Sequence, residues 1–303
     1  MVRLIRAPNA SAMTLSGTNS YVVACGAGAA LVVDPGPPIE THMSEIAAAA
    51  RAQDLTIEAI ALTHGHPDHA SGAAMLAAQA GAPVYAHPAC HAPHEYELAL
   101  DEDFTVGDVT LRVMDAPGHT FDHVIFYYPA ERALFTGDTI LGEGTSVIAP
   151  PGGALRPYER TLQRLAREFS HAQIIYPGHG PVVNGAPAKI QEYIEHRRMR
   201  ESQILAALRD GPKTIPQIVR KVYGPERSVL WPAMARQVLA HLLALEDERR
   251  VMAEPLHRAM THEEWAMLNP RIEEILGPEE AAIVIAELGT AMRLERLYEY
   301  RLI

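Results

Sequence analysis

The segment Thr63-His64-Gly65-His66-Pro67-Asp68-His69 gathers three imidazoles and a carboxylate directly after the apolar run 57–62. Two histidines spaced two apart in extended backbone can converge on one ion, while Asp68 and His69, at the start of a following helix, can face a second. Imidazole and carboxylate together suit zinc, with manganese or iron as alternatives. Gly65 lets the backbone bend tightly between the histidines. Three further segments each set one ligand-type side chain beside a glycine: Ala116-Pro117-Gly118-His119-Thr120, Phe135-Thr136-Gly137-Asp138-Thr139 and Ile175-Tyr176-Pro177-Gly178-His179-Gly180. A lone histidine after a strand is usually structural. The set His64, His66, Asp68, His69, His119, Asp138 and His179 makes metal or acid-base chemistry the question to ask.

The elements that must position these groups are short β-branched runs alternating with Ala-rich amphipathic stretches. Strands are predicted over 21–23, 30–33, 57–62, 84–86, 109–113, 124–128, 133–135 and 173–176, and helices over 42–52, 70–80 and 158–169. Asp34-Pro35-Gly36 stops the second strand abruptly, and Gly81 with Pro83 closes the helix 70–80. Strands interleaved with helices predict an α/β layered domain over 1–188, and its polar histidine-bearing segments fall at strand exits, where such scaffolds place sites.

After His179 the pattern changes. A long helix over 189–209 ends at Asp210-Gly211-Pro212, and Thr214-Ile215-Pro216-Gln217 is a capping box opening a helix through Tyr223. A third helix over 228–248 and a strand over 249–253 complete a winged-helix-like domain, 189–256. Residues 257–303 are predicted as a helical C-terminal extension, with a capping box at Thr261 and Glu264 and a break at Gly277-Pro278. There is no internal repeat.

Composition sets the outer limits. With 303 residues, 48% hydrophobic and 21% charged, the chain can bury a sizeable core, which excludes a disordered protein. Cys25 and Cys90 could form at most one bridge, so no disulfide framework exists and both read as core thiols in a reducing compartment. The apolar stretch 21–33 is interrupted by Cys25-Gly26-Ala27-Gly28 and reads as two strands and a turn rather than an export signal or membrane span, so a cytoplasmic protein without membrane contact is expected. Of the net charge of -11, residues 1–188 carry most, and no lysine precedes Lys189. That argues against a polyanionic substrate, whose binding normally rests on cationic contacts.

The five segments resemble the signature of the metallo-β-lactamase superfamily over about residues 15 to 185. The resemblance implies an αββα sandwich, two mixed sheets face to face with helices outside. It also implies a pair of zinc ions: His64, His66 and His119 for the first, Asp68, His69 and His179 for the second, Asp138 as bridging carboxylate, and Asp34 orienting the ligands from behind. Gly17-Thr18-Asn19-Ser20-Tyr21, Gly142-Glu143-Gly144-Thr145, residues 176–181 and His196-Arg197 further resemble the lactamase-beta-like endoribonuclease branch, which also appends a winged-helix-like domain. That branch includes single-strand RNA nucleases and, more distantly, thioesterases acting on carrier-bound polyketides. The extension 257–303 has no counterpart in it and leaves a homo-oligomer open.

The implied chemistry follows from charge. Two divalent ions about 3.5 to 4 Å apart bring the pKa of a shared water toward about 7, giving a metal-bound hydroxide that needs no side-chain nucleophile. Asp68 is the expected catalytic residue, ligating and orienting that hydroxide. His123 is read either as a leaving-group acid or as a hydrogen-bonding support. His87, His91 and His94 read as a loop cluster rather than a third metal site, Glu143, Thr145 and Tyr158 as substrate-side wall or plain connection, and Arg197, Arg198 and Arg200 as a solvated helix face paired with Glu195 and Glu201, with a basic face toward a substrate as the alternative. The expected function is a dinuclear hydrolase cleaving RNA phosphodiesters. The alternatives are a thioester or small-ester hydrolase and a non-enzymatic nucleic-acid-binding or sensor protein.

Overall fold

The computed structural model describes residues 1–224, 230–268 and 296–303. Two compact units divide it: Met1–Pro117 with Phe121–Ser146 and Arg164–Ile190, and Gly118–Thr120 with Val147–Gln163 and Gln191–Ile303.

The first unit holds two sheets. One is ordered β1 (Val2–Arg6), β2 (Asn19–Ala24), β3 (Ala29–Val33), β4 (Thr56–Ala61), β5 (Val84–Ala86) and β6 (Tyr96–Glu97). In the other, β7 (Asp103–Val106), β8 (Val109–Asp115), β9 (Val124–Tyr128), β10 (Ala133–Gly137), β11 (Ile174–Pro177) and β12 (Val183–Asn184) follow one another across the sheet. Strands β3, β4 and β5 run parallel, as do β10 and β11, while β1 to β3 and β7 to β10 form antiparallel meanders.

Strand alternation explains the layers. Val22, Val32 and Ile60 point to one face, where Met43 and Ile46 of α1 (Glu40–Arg51) and Leu76 of α3 (Ala73–Ala80) cover them. Their neighbours Tyr21, Val23, Leu31, Val33, Ala59 and Ala61 point to the other, against Leu111, Val113, Phe126 and Phe135 of the second sheet. Both faces are dry, so these strands read as continuous apolar runs rather than as alternating ones. Behind the second sheet, Phe169, just after α4 (Leu155–Glu168), packs its ring 4.9 Å from that of Tyr127. The layers are those of the expected αββα sandwich.

One predicted helix is broken. The run expected over 70–80 is two pieces, α2 (Pro67–Ala70) and α3, with Ser71 and Gly72 between them. A side chain at Gly72 would meet Gly36 O at 2.7 Å, so the break lets the Asp34-Pro35-Gly36 turn approach closely.

In the second unit, α5 (Ala186–Leu208), α6 (Ile215–Tyr223) and α7 (Trp231–Asp247) are accompanied by the short strands β13 (Lys213–Thr214) and β14 (Val251–Pro255). The Thr214/Gln217 capping box forms as the sequence predicts. The expected helical extension is corrected here. Residues His262–Leu268 are helical (α8), opened by the Thr261/Glu264 box, but Tyr298–Leu302 is strand β15. It lies between β13 and β14 in a three-stranded antiparallel sheet. Leu297, Tyr300, Met267 and Leu268 join Ile204, Ile218 and Leu242 in one core. The cause is pairing: β14 and β13 each need a partner for their backbone groups, and the Tyr-Glu-Tyr-Arg-Leu alternation supplies it. The Gly277-Pro278 break lies outside the described residues. Among the described residues no helix is long and apolar enough to cross a membrane.

Candidate metal centre

The end of β4, from Ala59 to Ala61, and Leu62 after it are apolar and buried, so the first polar residues emerge where the strand leaves the sheet. Thr63-His64-Gly65-His66 follow in extended backbone, and Pro67 starts α2, bringing Asp68 and His69 into its first turn. The structure gathers all seven expected residues into three overlapping sets. The ligand atoms of His64, His66 and His119 lie within 4.8 Å of one another, as do those of Asp68, His69 and His179, and those of His64, His69 and Asp138. Asp138 thus stands between the two outer sets, where the bridging role would require it.

The spacing within the second set is informative. His69 Nε2 is 3.2 Å from His179 Nε2, 3.5 Å from Asp68 Oδ2 and 3.4 Å from Asp138 Oδ1; His179 Nε2 is 3.2 Å from Asp68 Oδ2 and 3.4 Å from Asp138 Oδ1. Ligands held at about 2.0–2.2 Å around a tetrahedral ion are about 3.3–3.6 Å from each other. The observed separations match the edges of such a polyhedron.

Hydrogen bonds behind the rings decide which nitrogen faces the centre. His69 Nδ1 donates to Asp34 Oδ2 at 2.9 Å, and His179 Nδ1 faces Gly17 O at 3.4 Å. His119 Nδ1 donates to Val147 O at 2.9 Å. Thr63 Oγ1 gives its single proton to Asp34 Oδ2 at 2.7 Å, so at 3.0 Å it must accept from His64 Nδ1. In all four rings Nδ1 carries a proton and Nε2 is the nitrogen left to face the centre, the arrangement metal-ligating histidines need. The donor set therefore fits divalent cations.

Electrostatics point the same way. Burial opposes charge on His69, yet Asp68, Asp138 and Asp34 outweigh it and raise its pKa well above the ordinary imidazole value. Burial likewise works against a charged His179, but Asp138 and Asp68 raise it to about 10. For Asp138, burial pushes the carboxyl up and His179 and His69 pull it well below the usual range. His64 is the exception: burial, then His69, His66 and His123, hold its pKa well down. The carboxylates create a demand for positive charge that a metal satisfies without protonating the rings.

Supporting residues explain the motifs. Asp34, at φ 50°, leaves the end of β3 and accepts from Thr63 N at 2.7 Å as well as from Thr63 Oγ1 and His69. Asn19 Nδ2 donates to Pro177 O at 2.9 Å and Gly180 O at 2.8 Å, and the Tyr21 hydroxyl to Pro177 O at 2.7 Å, so the Gly17-to-Tyr21 motif grips the loop bearing His179. A Cβ at Gly178 would lie 2.5 Å from Asp138 Oδ1 and 2.6 Å from His69 Cε1; only glycine fits behind those ligands. Thr18 Oγ1 donates to Asp68 Oδ2 at 3.3 Å, a contact no local pattern announces.

The remaining candidates sort differently. His123 is fully buried, accepts the Asp138 N–H at 3.2 Å and stacks 4.8 Å from His64, which makes it a support of Asp138. His87 faces Asp115 at 3.5 Å and His94 bonds Ala92 O within its own loop; neither joins a metal-type cluster among the described residues. Tyr158 is buried rather than wall-lining. Arg197 is not on a solvated face: it is 1% exposed, on the side of α5 that also buries Tyr193 and Ile204, with its guanidinium 4.9 Å from the Tyr158 ring. Arg198 is exposed, and Arg200 lies over the Tyr223 ring at 4.4 Å.

A layered α/β fold with this constellation at its strand ends defines a class of metal-dependent hydrolases. A family model described as "Metallo-beta-lactamase superfamily" matches residues 13–179, and one described as "Beta-lactamase associated winged helix domain" matches residues 214–258. The chain belongs to the metallo-β-lactamase superfamily, a hydrolase family. It is 34% identical over 260 residues to the beta-lactamase-like protein 2 homolog of Drosophila melanogaster, an alignment spanning 80% of this chain and 87% of that one. Its fold resembles the crystal structure of a metallo-beta-lactamase family protein from Thermus thermophilus, with a TM-score of 0.70 and 23% identity over 84% of this chain and 95% of the other. The protein TTHA1623 in a di-iron-bound form aligns with a TM-score of 0.50 and 26% identity, covering 61% of this chain and 96% of that one.

Proposed function

We propose that this protein is a dinuclear hydrolase that binds zinc, with manganese or iron as alternatives, and cleaves single-stranded RNA phosphodiesters. The observation that carries the metal reading is the set of 3.2–3.5 Å separations among Asp68, His69, His179 and Asp138, with the Nε2 atoms turned inward. His64, His66 and His119 would hold one ion, Asp68, His69 and His179 the other, and Asp138 both; the di-iron form of TTHA1623 supports a pair. Bound divalent ions supply Lewis-acid polarisation of the scissile group and activation of water near neutral pH. Asp68 is the residue we assign to orienting that water: one carboxylate oxygen sits among the ligand atoms under the Thr18 hydroxyl, and its side chain is 27% exposed. His123 accepts the amide proton of Asp138 and so positions the carboxylate that would serve both ions.

The RNA reading rests on the resemblance of the Gly17-to-Tyr21, Gly142-to-Thr145 and 176–181 segments to the endoribonuclease branch. A second reading, hydrolysis of a thioester or small ester, is favoured by the acidic residues 1–188 with no lysine before Lys189. The test presents the purified protein with single-stranded RNA, thioester and lactone substrates, with and without chelator, beside the Asp68→Ala variant. Hydrolysis should fall by about a hundredfold or more with either treatment. Activity indifferent to both refutes the metal mechanism, and cleavage confined to thioesters or lactones replaces the RNA reading with the second.

A further inference from the structure

Helix α7 buries two faces. Met234, Ala235, Val238, Leu242 and Leu245 fill the apolar core shared with Ile218 and Tyr300. Gln237, Ala240, His241 and Ala244 are buried as well, at helical spacing on a second face made of polar and small side chains. A buried glutamine has a cost unless its amide is engaged. Gln237, 5% exposed, accepts the Ile148 N–H through Oε1 at 3.1 Å.

That N–H belongs to the same peptide group as Val147 O, and Val147 O is the acceptor of the His119 Nδ1 proton at 2.9 Å. One peptide is therefore held at both ends, by Gln237 on its N–H side and by His119 on its carbonyl side. An acceptor at the N–H polarises the amide and makes its carbonyl a stronger acceptor, and the two bonds together fix the peptide plane. The following turn closes around the same ligand: Ala154 N donates to Gly118 O at 2.9 Å, and Gly153 lies so close to His119 O that a Cβ would be 2.3 Å away.

We infer that Gln237 is a positioning residue for His119. Through the Val147–Ile148 peptide it sets the ring's tautomer and the direction of Nε2. Gln237 lies within the residues matched by the winged-helix model, so that segment contributes to a metal ligand and not only to its own core. The inference rests on the reading that His119 holds a metal ion.

The test uses the full chain with zinc and with cobalt. Gln237→Met matches the size of glutamine and removes the acceptor; Gln237→Glu keeps an oxygen for the Ile148 N–H; His119→Ala is the comparator. Zinc affinities of both ions are read by competition with a chromogenic chelator, and the cobalt-loaded proteins by their d–d absorption. Gln237→Met should weaken one ion about 10–100-fold and shift its cobalt bands, leaving the other ion unchanged, and Gln237→Glu should restore both readouts. A folded Gln237→Met with two wild-type affinities and an unshifted spectrum overturns the inference. If His119→Ala also binds two ions like the wild type, the ligand reading has failed instead. A measurement on the wild type is independent of how the variants fold: the Ile148 amide and Gln237 side-chain amide resonances should move during zinc titration, and resonances that stay put overturn the coupling.

Discussion

Asp34→Asn changes one atom and should disable both ion sites. The carboxylate receives three protons, from Thr63 N and Thr63 Oγ1 at 2.7 Å and from His69 Nδ1 at 2.9 Å. An asparagine has one oxygen and one NH2 for those places. If the NH2 faces Thr63 N, two backbone-anchored donors oppose each other in a buried site, at a cost of about 1–3 kcal/mol. If it faces the other way, His69 Nδ1 must accept and its proton moves to Nε2, toward the second ligand set. The Thr63 hydroxyl must then accept from the asparagine and donate to His64 Nδ1, at 3.0 Å, which moves the His64 proton to Nε2 as well. Either outcome is unfavourable, and the second takes a lone pair from each ion. We expect zinc affinity to fall by about 10–100-fold at both sites, with a loss of about 1–3 kcal/mol in the metal-free protein. The assay is chelator competition together with urea denaturation of the apo and loaded forms. An Asp34→Asn protein with wild-type affinities and wild-type stability would refute the tautomer argument, because no arrangement of one amide satisfies those three donors.

Two other predictions concern the second unit. His241 is fully buried, both ring nitrogens lack a hydrogen-bond partner among the described residues, and burial, then Arg197, Arg156, His196 and Arg200, push its pKa from 6.5 down to about 3. The unfolded chain therefore binds the proton first, so this contribution to stability is complete above about pH 6.5 and is lost as pH falls toward 3. Linkage gives about 2 kcal/mol lost at pH 5, and His241→Leu should flatten the dependence between pH 7 and 5 in urea melts by about that amount; an unaltered slope refutes it. Tyr300, 0% exposed on the central strand of the small sheet, should cost about 3–5 kcal/mol when cut to alanine. Circular-dichroism melts of Tyr300→Ala that match the wild type would remove β15 from the core.

The parts of the molecule legible in the sequence are those whose signal is local. The capping boxes at Thr214 and Thr261 form where a hydroxyl and an amide or carboxylate stand three apart, and β2 to β5 follow their apolar runs. The ligand residues are visible one by one, yet no spacing shows that His179 meets His69, 110 positions away; that came from resemblance and is realised by the parallel β10–β11 pair. Features set by partners far along the chain were not legible. Strand β15 pairs with both β13 and β14, Arg197 is buried with its guanidinium against the Tyr158 ring, and the helix 70–80 breaks where Gly72 N donates to Gly36 O instead of continuing α2. Gln237 has no sequence signal at all, since its partner is a backbone N–H 89 residues away.

The acceptors behind the rings also bear on what order of events assembles the centre. Asp34 leaves β3, Thr63 leaves β4, Gly17 O precedes β2, and Val147 O lies in the turn after β10. None depends on an ion for its position: Asp34 N is fixed by Ala61 O at 3.0 Å, Gly17 N by Thr14 O at 2.9 Å, and the Val147–Ile148 peptide by Gln237. The protonation of each Nδ1 is therefore decided by folding, and the Nε2 atoms converge before a cation arrives. An ion that enters such a site replaces the Nε2 protons that the carboxylates hold on His69 and His179 but moves no Nδ1 proton, so little of the ring arrangement has to change when it binds. Altering the acceptors is consequently as damaging as altering the ligands, and it leaves every metal-donor atom in the chain.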